Sequence, residues 1–397
     1  MSDIDLSNYQ NREQAYVKHS LLHKYLPELT YRIGTRWDSL VYVDGFAGPW
    51  ETRDPDYKDS SFGVAFEALR RSRLGLRDKR GRDLAVQLIL VEQRNKAYTR
   101  LKAYAEEKNQ PGLGVKAIHG RFIDSTSTID KLVRKTTRNP FRFVLLDPKG
   151  WADIPMQTLG PFLRARSCEV LINLMTRHIV RFLGQDDRAE SYNSLFGRDD
   201  VLEILRNTPE GLERVERAVR EYCRSLRKLC NFEYVSSAVI LEPTMEQIKY
   251  FLVYASNHPR GVEVFKAAEN KVSKIQDDLR HEIKLEGQTE LFGTAETSSP
   301  LVRRLHRQYS ERARKKVMEK LLAKDLGEEI LYSNLFCEGM AFPLVTPNNL
   351  VEWLRALEPS VEIRLEGDRR KKPSPTKNDR VVVVDRQLLL SKYQEYC

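Results

Sequence analysis

Three acidic residues, Asp44, Glu92 and Asp147, each close a short apolar run, and each can accept hydrogen bonds from a polar ligand. The runs are Leu40-Val41-Tyr42-Val43, Leu84-Ala85-Val86-Gln87-Leu88-Ile89-Leu90-Val91 and Phe141-Arg142-Phe143-Val144-Leu145-Leu146. Such runs suit strands covered on both faces. Gly45 and Pro148 stand directly after two of the acids, and Gly45 and Gly48 let the backbone turn tightly beside a ligand. Set along one edge of a parallel sheet, the three carboxylates occupy the carboxyl ends of the strands, where open α/β sheets bind ligands. A plain Asp-Gly turn is the alternative for the first of them.

One carboxylate at the end of a second strand can accept hydrogen bonds from both ribose hydroxyls of an adenosine cofactor, and Glu92 is the candidate for that role. The first turn, Asp44-Gly45-Phe46-Ala47-Gly48-Pro49-Trp50, lacks a full Gly-x-Gly-x-x-Gly pattern. No helix follows it at once to hold a pyrophosphate, which disfavours NAD. S-adenosylmethionine, which carries adenosine but no phosphates, is the expected cofactor. Asp44 and the backbone near Gly48 then face its amino-acid end, and Phe46, Ala47 and Arg121 join the cofactor-binding set. Lys18 and His19, adjacent in the helix that leads into the first strand, are candidates for the same ligand, with a solvated helix face as the alternative.

The turn Asp147-Pro148-Lys149-Gly150-Trp151 supplies the remaining chemistry. Methyl transfer to an exocyclic amine needs an acceptor that draws the nitrogen lone pair out of conjugation. An acidic side chain and a proline-oriented carbonyl can accept both amine hydrogens, and an aromatic ring can stack on an extruded base. Asp147, Pro148, Lys149, Gly150 and Trp151 are therefore the candidate catalytic residues. The alternative is that Asp147 caps the following helix and Trp151 fills the core.

A sheet must align these positions. Asn8 to Ile33 reads as a helix broken near Pro27, and Phe62 to Leu74, Asn95 to Glu107, Ile123 to Thr136 and Met156 to Arg164 as further helices. Asp124 and Ser125 suit a helix cap, and Arg77 to Arg82 a surface turn. With Val115 to His119 and Val170 to Leu174 as third and fifth strands, the alternation predicts a doubly wound parallel sheet. Gln185 to Leu229 reads as a helical insertion or lid. Val235 to Leu241 and Tyr250 to Ser256 complete the sheet, the second paired antiparallel at its edge, and a helix from Val262 to Lys284 closes the domain. Residues 1–284 thus read as a Rossmann-like, methyltransferase-type α/β domain with its helical insertion at about 185–229.

Residues 285–300 lose apolar periodicity and read as a linker. Beyond it, in 301–397, Ala313 to Leu322, Leu331 to Cys337 and Asn348 to Leu357 read as helices, and Val361 to Leu365 and Val381 to Val384 as a hairpin around a basic loop. That order predicts a winged-helix domain, followed by a short helix from Leu388 to Tyr396. Arg369, Arg370, Lys371 and Lys372 in the wing are the candidate nucleic-acid contacts, with a solvated turn or a docking surface for an acidic protein as the alternative.

Composition agrees with an anionic partner. The chain has 397 residues and a formal net charge of +10, and Arg303 to Lys324 is rich in Lys and Arg. No apolar run is long enough to span a membrane, and Met1 to Gln14 is unlike a signal peptide, so a cytoplasmic location is expected. The five cysteines, Cys168, Cys223, Cys230, Cys337 and Cys397, are scattered without a Cys-x-x-Cys pair. Neither a disulfide framework nor a zinc site is indicated, and no metal site is expected.

The blocks Val43-Asp44-Gly45-Phe46-Ala47-Gly48-Pro49, Lys18-His19, Leu146-Asp147-Pro148-Lys149-Gly150 and Asn257-His258-Pro259 resemble the three-Cys-motif partner (TcmP) family, a similarity that runs on into the winged-helix tail. More distantly they look like the RlmJ-type ribosomal RNA adenine methyltransferases, where a Lys-His block, an Asp-x-x-Ala-Gly turn and an Asp-Pro-Pro-aromatic turn surround the cofactor and base. The resemblance implies that Lys18, Asp44, Glu92 and Asp147 are site positions. It also implies a partner, a three-Cys-motif protein of radical-enzyme type encoded nearby. The expected function is an S-adenosylmethionine-dependent methyltransferase acting on nucleic acid. The alternatives are a non-catalytic subunit that delivers nucleic acid to a partner enzyme and a DNA-binding regulator.

Overall fold

Apolar runs without alternation become strands buried on both faces, and this chain builds its sheet from them. The computed structural model describes residues 4–48, 52–165, 167–185, 188–286, 299–366 and 375–396. Trp50, most of the 285–300 linker, Arg369, Arg370, Lys371, Lys372 and Cys397 lie outside the described residues. Contacts divide the chain into two compact units, 1–233 with 239–257, and 234–238 with 258–397.

The first unit opens with a 3₁₀ turn at Leu6–Tyr9 and runs α1 (Glu13–Ile33), β1 (Ser39–Asp44), α2 (Ser61–Arg80), β2 (Ala85–Glu92), α3 (Asn95–Lys108), β3 (Leu113–His119), α4 (Phe122–Thr136) and β4 (Pro140–Leu146). A 3₁₀ turn at Trp151–Asp153 precedes α5 (Met156–Leu163), β5 (Cys168–Leu174), α6 (Thr176–Arg181), α7 (Ala189–Phe196), α8 (Val201–Arg206) and α9 (Leu212–Cys230). β6 (Tyr234–Leu241) and β7 (Ile248–Ser256) complete a seven-stranded sheet in the order β3-β2-β1-β4-β5-β7-β6. The fold is α/β, with β1 to β5 parallel and helices flanking a mostly parallel sheet. β7 runs antiparallel to β5 and lies inside the sheet, so the edge position expected for it belongs to β6.

Several expected boundaries move because packing overrides local breakers. Pro27 does not break α1: Leu26, Pro27, Leu29 and Ile33 are all buried, and that apolar face holds the last turns together despite the missing amide. The Arg-rich stretch expected as a turn is the end of α2, which buries Leu76 and stops at Gly81 in the left-handed conformation, φ 62°. Asp124 and Ser125 do not cap α4. Its N-cap position is Arg121, and the Ser125 hydroxyl donates to the Arg121 carbonyl at 2.8 Å.

A buried polar cluster ties α1 to the far side of the sheet. The Tyr25 hydroxyl donates to Glu169 and lies 3.0 Å from the Tyr254 hydroxyl, while Ser256 donates to Glu169 at 3.0 Å. Burial raises the Glu169 carboxyl above the ordinary range, and these donors pull it back down.

The second unit contains α10 (Pro259–Glu286), α11 (Pro300–Leu322), β8 (Glu329–Leu331), α12 (Tyr332–Met340), α13 (Pro347–Ala356), β9 (Val361–Arg364), β10 (Arg380–Val383) and α14 (Arg386–Tyr396). α10, read from sequence as closing the first domain, groups with this unit. β9 and β10 pair antiparallel, as expected for the hairpin, with β8 added on the other side of β10. Among the described residues no helix is long and apolar enough to cross a membrane.

Candidate functional site

β1 and β4 are neighbours from which the chain winds outward in both directions, so the crevice beyond their carboxyl ends is the switch point of the sheet. A cavity of about 410 Å³ opens there. Gly45 and Phe46 after β1, Glu92 at the end of β2, Arg121 before α4, Asp147 to Lys149 after β4, and Asn173 near the end of β5 line it. A Cβ at position 45 would sit 2.8 Å from Leu146 Cδ2 and 2.9 Å from Phe122 Cδ2, so any side chain there would force those neighbours to shift.

The acids differ in their surroundings. Asp147 forms an ion pair with Lys18 through one carboxylate oxygen and accepts from the Asn173 amide at 2.6 Å through the other. Glu92 is 4% exposed and accepts from the Arg94 amide at 2.6 Å, which holds its carboxylate at the rim of the crevice. Asp44 is fully buried beneath the turn, accepting from the Phe46 amide at 3.1 Å and the Ser61 hydroxyl at 2.6 Å. Burial pushes its carboxyl from an ordinary 3.8 up to about 6, against the pull of those two donors.

Phe46, Glu92, Arg121, Asp147, Pro148 and Lys149 therefore meet as the sequence reading places them, and Lys18 joins through Asp147. Other candidates do other work. Ala47 is buried and donates its amide to the Val91 carbonyl at 2.9 Å, and neither it nor Gly48 lines the cavity. His19 is buried and bonds the Tyr9 hydroxyl at 3.0 Å through Nδ1; burial and the Lys18 charge push it well below the ordinary range, so it is neutral at pH 7. Gly150 lies outside the lining, and Trp151 packs edge-on against Tyr192 with centroids 4.6 Å apart. Asp147 does not cap a helix, since the 3₁₀ turn after it has Gly150 at its N-cap and α5 has Pro155.

Asn173 is the residue that sequence reasoning missed. Its Oδ1 is buried without a hydrogen-bond partner among the described residues, a cost unless something else supplies a donor. The signal was present: Asn173 is a polar residue close to the carboxyl end of an apolar strand, as the three acids are.

Asp44 makes stability depend on pH with a definite sign. Its folded value of about 6 exceeds the ordinary 3.8, so the folded chain keeps a proton that the unfolded chain releases. The contribution is complete below pH 3.8 and is lost as pH rises through 6. Asp44→Asn, which cannot ionise, is expected to remove about 2 kcal/mol of the fall in stability between pH 4 and 7. Urea unfolding of both proteins at the two pH values measures this, and parallel pH profiles would refute the assignment.

No protein-family model and no curated protein matches the chain in sequence. Solved structures similar to it include the crystal structure of protein LPL1258 from Legionella pneumophila str. Philadelphia 1, of family DUF519. That similarity covers 69% of this chain and 93% of the other, at 10% identity and a TM-score of 0.38.

Proposed function

We propose that the chain is an S-adenosylmethionine-dependent methyltransferase-like protein acting on nucleic acid and working with a three-Cys-motif, radical-type enzyme. The observation that carries the cofactor reading is Glu92, buried at the end of β2 with its carboxylate on the switch-point cavity. From there it can accept the two ribose hydroxyls, while the turn after β1 and the Gly120-Arg121 turn offer backbone and charge beside it. The mostly parallel sheet is compatible with a Rossmann-like methyltransferase fold. S-adenosylmethionine would supply an electrophilic methyl group, and the chain would bind it, exclude water and orient the acceptor amine. The partner enzyme rests on the resemblance of the sequence blocks alone.

For the second unit we propose a winged helix. Its support is the order α11, β8, α12, α13, β9, β10 and the antiparallel β9-β10 hairpin with the basic loop between its strands.

One observation favours the second reading, a cofactor-binding subunit without turnover. Each carboxylate oxygen of Asp147 already accepts from one group, Lys18 or Asn173, so an incoming amine would have to share an oxygen with one of them or displace it. Calorimetry with S-adenosylmethionine and S-adenosylhomocysteine tests the cofactor, and transfer of a labelled methyl to RNA, DNA and protein tests turnover. Glu92→Ala is expected to weaken S-adenosylmethionine binding by about 1.5 to 3 kcal/mol, the worth of charge-assisted bonds to the ribose. Unchanged affinity in that variant removes the ribose assignment, and binding without any transfer selects the non-catalytic reading.

A further inference from the structure

The outer face of α9 has no part in the reading above. Its inner face is fixed, since Ala218, Val219, Tyr222, Cys223, Leu226 and Cys230 are buried. On the opposite side, Arg217, Arg220, Arg224, Arg227 and Lys228 recur turn by turn within an arc of about 100°, as their spacing on a helix of 3.6 residues per turn dictates. Arg220, Arg224 and Lys228 are exposed and the other two half-buried. Over the same stretch the only acid is Glu221, while Glu213 and Glu216 stand before it.

Glu221 sets this face apart from a solvated run of charges. It is fully buried, and three guanidiniums converge on it, Arg198 at 2.9 Å and Arg217 and Arg224 each at 2.8 Å. A buried carboxylate is costly unless paired, yet a single cation suffices to pair it. Three leave a surplus of positive charge, even though Arg198 also meets Asp200 at 2.5 Å. Each guanidinium has five N–H donors, more than one shared carboxylate can use. Because Glu221 already holds the set in place, a ligand that takes the remaining donors has less side-chain entropy to remove.

We propose that this basic face of α9 binds the phosphate backbone of a nucleic acid. From Arg217 to Lys228 the helix rises about 16 Å, the axial length over which one strand of a duplex carries about five phosphates. Four of the five cations are arginine, whose planar fork matches phosphate oxygens. An acidic protein is the other anionic partner, but protein interfaces keep an apolar centre within a polar rim, and every residue from 217 to 228 on this arc is charged. The inference rests on the nucleic-acid part of the proposed function for its partner, and on neither methyl transfer nor the winged helix.

The test uses the full chain with a labelled duplex, a labelled single strand and poly-glutamate, each titrated across a salt series. The triple variant Arg220→Gln, Arg224→Gln, Lys228→Gln changes exposed side chains and leaves Arg198 and Arg217 on Glu221, so it is expected to melt within about 2 °C of the wild type. It is expected to bind nucleic acid at least about 10-fold more weakly, with a salt slope on the duplex lower by about three. The double variant Arg220→Gln, Lys228→Gln, which keeps all three arginines on Glu221, should lower that slope by about two. A control, Arg77→Gln, Lys79→Gln, Arg80→Gln, removes the same charge from the exposed end of α2 and is expected to bind within about twofold of wild type. Equal losses in the two triple variants would reduce the effect to net charge and overturn the proposal. Loss of poly-glutamate with unchanged nucleic-acid curves would make the face a dock for an acidic protein and overturn it as well. Nucleic-acid binding that is the same in wild type and the α9 variants overturns this inference and leaves the nucleic-acid reading standing, whereas no binding of either nucleic acid by wild type at low salt overturns both.

Discussion

Asp147→Asn is expected to lower methyl transfer at least about 100-fold while leaving S-adenosylmethionine affinity within about threefold, since the proposed function has the acid act on the acceptor and Glu92 on the cofactor. Asparagine keeps the size and one acceptor oxygen but loses the charge that would draw on an amine hydrogen. It also strands Lys18, which is 8% exposed and paired with Asp147, and a buried unpaired ammonium costs stability. The double variant Lys18→Met, Asp147→Asn removes both charges and separates the two effects. It should recover stability without recovering transfer. Transfer by Asp147→Asn at the wild-type rate would remove Asp147 from the chemistry and leave it a partner of Lys18 and Asn173.

The largest expected loss of stability is at Lys266 in α10. This side chain is fully buried, donating to the Ser237 carbonyl at 3.2 Å, the Phe342 carbonyl at 2.6 Å and Glu269 at 2.8 Å. Glu269 in turn accepts from the Leu344 amide at 2.9 Å. Burial lowers the Lys266 ammonium and raises the Glu269 carboxyl, so for both groups desolvation outweighs their mutual attraction. Lys266→Ala strips the buried Glu269 carboxylate of its counter-charge, leaving it only the Leu344 amide, and takes a donor from two carbonyls, and is expected to destabilise the second unit by about 3 to 5 kcal/mol. Lys266→Met with Glu269→Leu should cost less than the single change, because no charge is then stranded. Urea unfolding gives both values. A single variant within about 1 kcal/mol of wild type would mean that water or rearrangement replaces the pair.

What was legible in the sequence follows from how strongly local pattern constrains the backbone. β1, β2 and β4 sit within two residues of their apolar runs, because strands covered on both faces are predominantly apolar. Glu92 and Asp147 were therefore placed by counting to the end of a run. The three-residue β8 was not legible, since it is too short to carry a period and is held by pairing with β10. Nor was the continuation of α2 through Arg80, where burial of Leu76 outweighs a charged composition.

By itself the sequence determined the alternation of strands and helices and the acids at the strand ends, because burial on both faces and tight turns restrict which residues can stand there. Only the tertiary structure decided that His19 turns to Tyr9 and Trp151 to Tyr192, that Asn173 holds Asp147, and that α10 belongs to the second unit. Those outcomes depend on which side chain meets which across long separations in the chain, and no local period encodes such a meeting.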